Sequence, residues 1–224
     1  MLVIFDVDGT LVGGESFDWA SFDAAFESSA GFPLTQAFWD SLEEVTARAV
    51  VHAALAHLPG PERDRLEDLV RLGYLERLEA AHRTHPEAFR PATGAPELLK
   101  SLRATEGVAV AIATGDWRSS SSFKLSASGL DLDGIPVATC SDCPTRAEII
   151  CRAAHLARRP VADAVYVGDG RWDYRACRQL GIPFIGTGSR LEPLRTAGAK
   201  HLLPDLLPGP FWELLRQPGV CRAD

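Results

Sequence analysis

The sequence contains no apolar run that approaches the roughly 18 residues expected of a transmembrane helix. It also contains no basic cluster, and 30 acidic residues against 23 lysines and arginines give a formal net charge of -7. The first absence argues against a membrane span, and the second argues against nucleic acid as the main partner. Small anionic substrates remain compatible with this composition, because a metal ion and one or two cationic side chains reverse the field locally.

Cysteine is too sparse for a disulfide framework. The five cysteines are scattered through 224 residues, and their number is odd. Cys140 and Cys143 form a single C-x-x-C pair, which without a second pair is not a typical zinc site. We expect free thiols in a reducing compartment. Because no basic N-terminal region precedes a long apolar stretch, we also expect a cytoplasmic protein.

A short apolar run at the start of the chain ends in two carboxylates. Residues 2–5 are Leu, Val, Ile and Phe, and residues 6–10 read Asp-Val-Asp-Gly-Thr. Such a run predicts a buried strand, and open α/β sheets carry their chemistry at the carboxyl ends of strands. Asp6 and Asp8 are two residues apart, so their side chains leave on the same face and repel each other unless a cation compensates them. The main-chain N–H groups that follow Gly9 can bind an anion. The pattern predicts a site for a divalent metal ion and a phosphate.

Two later apolar runs end in side chains of the same chemical kind. The run 108–113 is followed by Thr114, Gly115 and Asp116, and the run 164–167 is followed by the loop 168–173, which contains two aspartates. Hydroxyl and carboxylate oxygens are ligands that magnesium and a phosphoryl group require. Three predicted strands therefore end in side chains that can bind magnesium and a phosphoryl group.

The chain divides into a helical part and an alternating part. Between residues 14 and 90 apolar residues recur at spacings of three and four, which predicts amphipathic helices. The three stretches are Phe22 and Phe26; Phe38, Leu42, Val45 and Ala49; and Leu66, Leu69, Val70, Gly73, Tyr74 and Leu78. From residue 91 onward predicted helices and strands alternate, with short strands at 135–138 and 182–185 and a last helix around residues 211–215. This alternation indicates a parallel sheet covered on both faces.

The predicted fold class is therefore α/β. We expect a Rossmann-like core of three α/β/α layers formed by residues 1–13 and 91–224. Residues 14–90 are expected to form an inserted α-helical cap domain.

In their order along the chain, these segments resemble the haloacid dehalogenase superfamily. The family is marked by Asp-x-Asp-Gly-Thr, a strand-terminal Thr or Ser, a basic residue and a Gly-Asp-x-x-x-Asp loop. Residues 6–10, Thr114 and residues 168–173 match in kind and in order. Asp8 relates the chain to the phosphatase-type members, since the dehalogenase and phosphonate-cleaving branches lack this second aspartate. A helical cap between the first two motifs is similar to the phosphoglycolate phosphatase and β-phosphoglucomutase group.

The resemblance implies a mechanism and a set of site residues. Asp6 is the nucleophile that forms an aspartyl phosphate, and Asp8 protonates the departing oxygen and later activates water. Magnesium is held by the Asp6 carboxylate, the main-chain carbonyl of Asp8 and Asp169, while Asp173 supports the metal site from behind. The implied catalytic residues are Asp6, Asp8, Thr114 and Arg146, the substrate-binding residues are Thr114, Gly115 and Arg146, and the metal residues are Asp6, Asp8, Asp169 and Asp173.

The sequence departs from the family at the basic residue, which is usually a lysine shortly before the third strand. Arg146 stands there, in the first turn of a helix whose start is marked by the capping box Thr145-x-x-Glu148. Its permanent charge and forked donors suit phosphate oxygens. Lys124, ten residues after Thr114, is the rival for this role, although a purely structural role is the favoured interpretation for it.

We expect a magnesium-dependent phosphomonoester hydrolase that acts on a small phosphorylated metabolite. One alternative is a phosphomutase of the β-phosphoglucomutase type, which returns the phosphate to its substrate. Another is a phosphate-binding protein with weak catalysis, which the missing lysine would explain. A receiver-type signalling domain is disfavoured, because it needs only about 120 residues and no cap. The sequence leaves open the substrate and the choice between monomer and homodimer.

Overall fold

The computed structural model describes residues 1–13, 15–217 and 220. Six strands form one sheet in the order β3-β2-β1-β4-β5-β6, and every neighbouring pair is parallel. The strands are β1 (Leu2–Phe5), β2 (Ala109–Ala113), β3 (Val137–Ala138), β4 (Ala164–Gly168), β5 (Phe184–Gly186) and β6 (His201–Leu202). The helices are α1 (Glu15–Ala30), α2 (Gln36–Ser41), α3 (Ala47–Ala54), α4 (Gly60–Thr84), α5 (Ala95–Arg103), α6 (Arg118–Ser128), α7 (Arg146–Leu156), α8 (Arg171–Leu180), α9 (Glu192–Thr196) and α10 (Pro208–Leu215). Two 3₁₀ turns span Pro86–Phe89 and Val161–Asp163.

Strand β1 lies inside the sheet because its side chains are apolar on both faces. Leu2 and Ile4 pack into one core cluster and Val3 and Phe5 into another, and all four are fully buried. The first cluster includes residues of α7 and α8, and the second includes residues of α5 and α10. The sheet is thus covered by helices on both faces, which confirms the predicted α/β class with three layers.

Helices α1 to α4 form the helical segment, defined here as residues 15–84. Phe22 and Phe26 of α1 are buried in the same cluster as Tyr74 and Leu78 of α4, and the rings of Phe22 and Tyr74 lie 5.7 Å apart. This cluster is continuous with the sheet face that α7 and α8 cover. Residue 14, at which the predicted cap domain begins, lies outside the described residues, and the division into two domains stays a prediction. Among the described helices, none is long and apolar enough to cross a membrane.

The prediction of one continuous helix for the second helical stretch is wrong. Helix α2 ends at Ser41, Leu42 is extended with φ -75° and ψ 129°, and α3 begins only at Ala47. Thr46 starts α3, because its Oγ1 accepts a hydrogen bond of 3.1 Å from the Ala49 main-chain N–H. The same hydroxyl donates to the Pro144 carbonyl at 3.1 Å, a partner 98 residues away that the local pattern does not reveal.

The remaining differences from the sequence-based expectations are short elements at the edges of the sheet. The strand predicted at 135–138 is reduced to Val137–Ala138, and the one predicted at 182–185 lies at Phe184–Gly186. Helix α9 and strand β6 were not predicted, since five- and two-residue elements carry too little periodicity to detect. The capping box at the start of α7 is present as predicted.

Gly94 precedes α5 with φ +82°, and a Cβ there would lie 2.5 Å from the main chain of Leu206 and Leu207. Gly107 has a similar φ of +78° with open space around it. We expect Gly107→Ala to cost about 1–2 kcal/mol from backbone conformation alone. Gly94→Ala should cost clearly more, because it adds the collision. Urea unfolding of both variants tests this, and equal losses would contradict the close approach.

Candidate active site

The strand register brings the three motif-bearing strand ends together. Phe5 of β1 pairs with Ile112 of β2 on one side and with Val167 of β4 on the other. Asp6 therefore leaves β1 beside the ends of both neighbours, and its main-chain N–H donates to the Val167 carbonyl at 2.9 Å. Thr114 continues β2 by donating its N–H to the Ala138 carbonyl at 3.0 Å.

Most of the predicted site residues line one cavity of about 100 Å³. Its lining includes Asp6, Asp8, Thr114, Gly115, Arg146 and Asp169. A water molecule needs about 10–15 Å³ on the same measure, so the cavity has room for a small molecule only. Of the predicted residues, Asp173 does not line it and is completely buried behind it.

Arg146 joins two of the predicted carboxylates. Its Nη1 lies 3.1 Å from Asp6 Oδ1, and its Nε lies 3.3 Å from Asp173 Oδ1. All three side chains are buried. Asp173 is further held by the Gly170 main-chain N–H at 3.1 Å and by the Tyr166 hydroxyl at 3.3 Å. The guanidinium fork thus bridges the end of β1 and the start of α8.

Burial sets the protonation of these carboxyl groups. It raises the pKa of Asp6, with the Arg146 charge acting in the opposite direction. For Asp173 burial raises the pKa to about 7, again opposed by Arg146. Desolvation outweighs a single cation here, so a second positive charge would favour the ionised forms of both residues.

The residues present fit a hard divalent cation. One carboxylate oxygen each from Asp6, Asp169 and Asp173 lies within 4.8 Å of the others. Only oxygen atoms are offered, which is the donor set that Mg²⁺ prefers. A divalent cation held by these oxygens would favour the ionised forms of Asp6 and Asp173.

Lys124, for which the sequence favours a structural role, is buried beside the cavity and is not among the described residues that line it. Its side chain is 2% exposed, and its Nζ lies 2.6 Å from Asp8 Oδ2, 2.8 Å from Asp18 Oδ1 and 2.7 Å from Asp116 Oδ2. The Tyr74 hydroxyl is at 3.2 Å and donates to Asp18. Lys124 thus contacts Asp8, Asp18 and Asp116, whereas Arg146 contacts Asp6 and Asp173. The helical spacing of α6 places Lys124 on the buried face of the helix. That face comprises Ser120, Ser121, Lys124, Leu125 and Ser128.

The chain between α2 and α3 crosses the site and holds Arg146 in place. We call residues 42–46 the crossing segment. The Arg146 Nη2 donates to the Val45 carbonyl at 3.2 Å, and its main-chain N–H donates to Glu44 Oε1 at 3.0 Å. Just beyond the segment, the Ala47 N–H donates to the Gly115 carbonyl at 2.7 Å. These contacts explain why the predicted second helix is interrupted here.

A model of the haloacid dehalogenase-like hydrolases matches residues 1–181 of the chain. This chain belongs to that family. The match confirms the resemblance inferred from the motifs, and it identifies the protein as a member of a hydrolase family. No curated protein matches the chain.

Three solved structures illustrate the similarity of fold. A hydrolase from Pseudomonas syringae is 22% identical, with 92% of this chain and 94% of that chain covered and a TM-score of 0.72. β-Phosphoglucomutase from Clostridium difficile is 14% identical, with coverage of 95% and 94% and a TM-score of 0.75. CbbY from Rhodobacter sphaeroides, solved with phosphate, is 21% identical, with coverage of 92% and 94% and a TM-score of 0.71. At these identities the likeness shows that the chain shares their fold.

Replacing Lys124 by methionine should destabilise this hydrolase by about 3–5 kcal/mol, the usual cost of removing one partner from a buried ion pair. The side chains have similar size, so the loss reports the uncompensated carboxylates Asp8, Asp18 and Asp116 rather than a cavity. Urea unfolding measures it. Lys100→Met on the exposed surface of α5 is the matched control and should change stability by less than about 0.5 kcal/mol. Equal effects of the two substitutions would contradict the buried network.

Proposed function

We propose that the protein is a magnesium-dependent phosphomonoester hydrolase that acts on a small phosphorylated molecule through an aspartyl phosphate on Asp6. The observation that carries this proposal is the unequal environment of two neighbouring carboxylates in one cavity. Asp6 is paired with Arg146, whereas Asp8 is paired with Lys124 and faces the further carboxylates Asp18 and Asp116.

These environments suit a nucleophile and a general acid. Burial and the nearby Asp18 charge raise the pKa of Asp8 well above its usual value despite the opposing Lys124 charge. The pKa of Asp6 is also raised, but the adjacent guanidinium favours its ionised form. Pairs of carboxyl groups whose surroundings separate their proton affinities divide acid and nucleophile roles in this way. Asp6 is therefore the carboxylate that attacks phosphorus, and Asp8 is the acid that protonates the leaving oxygen.

The same residues complete turnover. Once the leaving alcohol has taken the proton of Asp8, the Asp8 carboxylate accepts a proton from the water that attacks the aspartyl phosphate. That attack releases phosphate and restores the Asp6 carboxylate. Lys124 keeps the Asp8 side chain in one position throughout, because it binds Asp8 Oδ2 at 2.6 Å.

Thr114, Gly115 and Arg146 are assigned to the phosphoryl oxygens. The Thr114 hydroxyl oxygen accepts the Asp116 N–H at 3.2 Å, which orients the hydroxyl and leaves its hydrogen for donation. The Arg146 fork and the Gly115 main-chain N–H provide further donors at the same cavity. We assign Arg146, rather than Lys124, to the role that a lysine usually has in the family.

Asp6 and Asp169 would hold magnesium together with the main-chain carbonyl of Asp8, and Asp173 would support them from its buried position. When bound, the ion neutralises charge between the nucleophile and the phosphoryl group. The phosphate in the CbbY structure supports a phosphate ligand in this fold. The four described cysteines are free thiols, which supports the expected cytoplasmic location.

Asp6→Asn should reduce phosphate release by about 10³-fold or more, because no carboxylate remains to form the covalent intermediate. The assay measures inorganic phosphate from p-nitrophenyl phosphate and a panel of phosphomonoesters, with and without magnesium. Asp163→Asn, an exposed aspartate remote from the cavity, should be unaffected. Metal-independent release, or full activity of Asp6→Asn, would refute the proposal. Turnover that depends strictly on a bisphosphate primer would instead indicate the phosphomutase alternative.

Gly115→Ala should lower kcat by roughly 10- to 100-fold, the order expected when a catalytic group moves by about 1 Å. A Cβ at this position would lie 2.6 Å from Arg146 Nη2 and 2.9 Å from its Cζ, and the guanidinium is already held by Asp6 and Val45. Gly209→Ala, which meets open space in α10, is the matched control. An unchanged kcat for Gly115→Ala would show that the Arg146 position is not critical.

A further inference from the structure

The cavity next to Asp6 and Asp8 is bordered by aromatic rings. We call Trp19, Phe22, Trp39 and Trp172 the aromatic wall. Ring centroids of Trp19 and Trp39 lie 4.8 Å apart at 86°, and Trp19 and Trp172 lie 6.2 Å apart. Phe22 extends the row, with its ring 6.0 Å from that of Trp39. The four rings support one another in edge and tilted packing, so the wall is a connected apolar surface.

The wall is contributed mainly by the helical segment. Trp19 and Phe22 belong to α1 and Trp39 to α2, whereas Trp172 belongs to α8 at the edge of the sheet. Val45 and Val50 add aliphatic surface to the same cavity. The residues assigned to the phosphoryl oxygens lie outside the helical segment, after β2 and at the start of α7, so the aromatic wall is left to contact the remainder of a substrate.

Three polar side chains of the helical segment line this cavity, and each takes part in hydrogen bonds within the protein. They are Asp18, Thr46 and Tyr74 among its described lining residues. Asp18 accepts from Lys124 at 2.8 Å and from the Tyr74 hydroxyl. Thr46 donates to the Pro144 carbonyl and accepts from Ala49, both at 3.1 Å. A substrate hydroxyl that packs against the aromatic wall would give up its bonds to water without a partner among the ring carbons.

We propose that the leaving group of the substrate is a neutral apolar group, aromatic or alicyclic, rather than a sugar or another polyol. This inference rests on the proposed phosphatase function. Burying a ring against the aromatic wall gains free energy in proportion to the apolar area removed from water. An added hydroxyl that packs against these rings loses free energy, because ring carbons do not replace its hydrogen bonds to water. The aromatic wall therefore discriminates between substrates by the polarity of the leaving group.

The experiment compares kcat/KM for benzyl phosphate, ethyl phosphate, glycerol 3-phosphate, a hexose 6-phosphate and phosphocholine. All are alkyl esters, so the panel varies the shape and polarity of the leaving group more than its basicity. We expect benzyl phosphate to exceed glycerol 3-phosphate by about 10- to 100-fold, the range that an apolar pocket achieves. Equal or better turnover of either polyol ester would overturn the proposal. Preference for phosphocholine would also overturn it, and would indicate a site for a cation on the rings.

Trp39→Ala tests the wall itself. The ratio of benzyl to ethyl phosphate turnover should fall about tenfold, and because it is a ratio within one protein, partial unfolding cancels. Trp212→Ala, a similarly half-buried tryptophan of α10 away from the cavity, should leave the ratio unchanged. An unchanged ratio in Trp39→Ala would overturn the role assigned to the wall.

A binding measurement separates failure of this inference from failure of the phosphatase function. Benzylphosphonate and methylphosphonate carry no ester bond to cleave, and their affinities are measured by titration calorimetry with magnesium present. If no ester, including p-nitrophenyl phosphate, is hydrolysed, the phosphatase proposal fails. At least tenfold tighter binding of benzylphosphonate would still support the apolar subsite, and equal affinities would overturn it.

Discussion

The buried guanidinium of Arg146 is the contact on which the organisation of the site depends. It lies against Asp6 at the end of β1 and Asp173 at the start of α8, and it also binds the main chain of the crossing segment. Burying such a charge is favourable only when good geometry and further hydrogen bonds compensate its desolvation. The structure meets that condition by drawing residues 6, 45 and 173 to a single side chain, so one charge fixes the relation between sheet and helical segment.

The second buried cation, Lys124, divides the electrostatics of the cavity. Arg146 serves Asp6, while Lys124 serves Asp8 together with Asp18 and Asp116. Two carboxylates only two residues apart are thus paired with different cations, although burial raises the pKa of both. This division supports an acid and a nucleophile in one site, and it depends on helices α6 and α7 that approach from separate parts of the sequence.

The sequence was most informative where the chemistry is local. Asp6, Thr114 and Asp169 directly follow strands, so the parallel order of β1, β2 and β4 was enough to predict that they meet. Contacts between residues that are distant in the sequence could not be predicted from local patterns. Thr46 bonds to a carbonyl 98 residues away, and Lys124 reaches an aspartate 116 residues away. The interruption of the second predicted helix also results from contacts with distant residues, because local periodicity carries no information about such contacts.

Glu44 and Thr46 of the crossing segment use side-chain atoms to bind the chain around the site, whereas Val45 and the following Ala47 use main-chain atoms. Val45 contributes its carbonyl to Arg146, and Ala47 contributes its N–H to the Gly115 carbonyl. Every residue type except proline offers these same groups. A substitution at position 45 or 47 therefore keeps these two hydrogen bonds possible, within the space that the packing of both side chains against the core allows. The lining that these two residues give the cavity can thus change while the main-chain contact that holds Arg146 is kept.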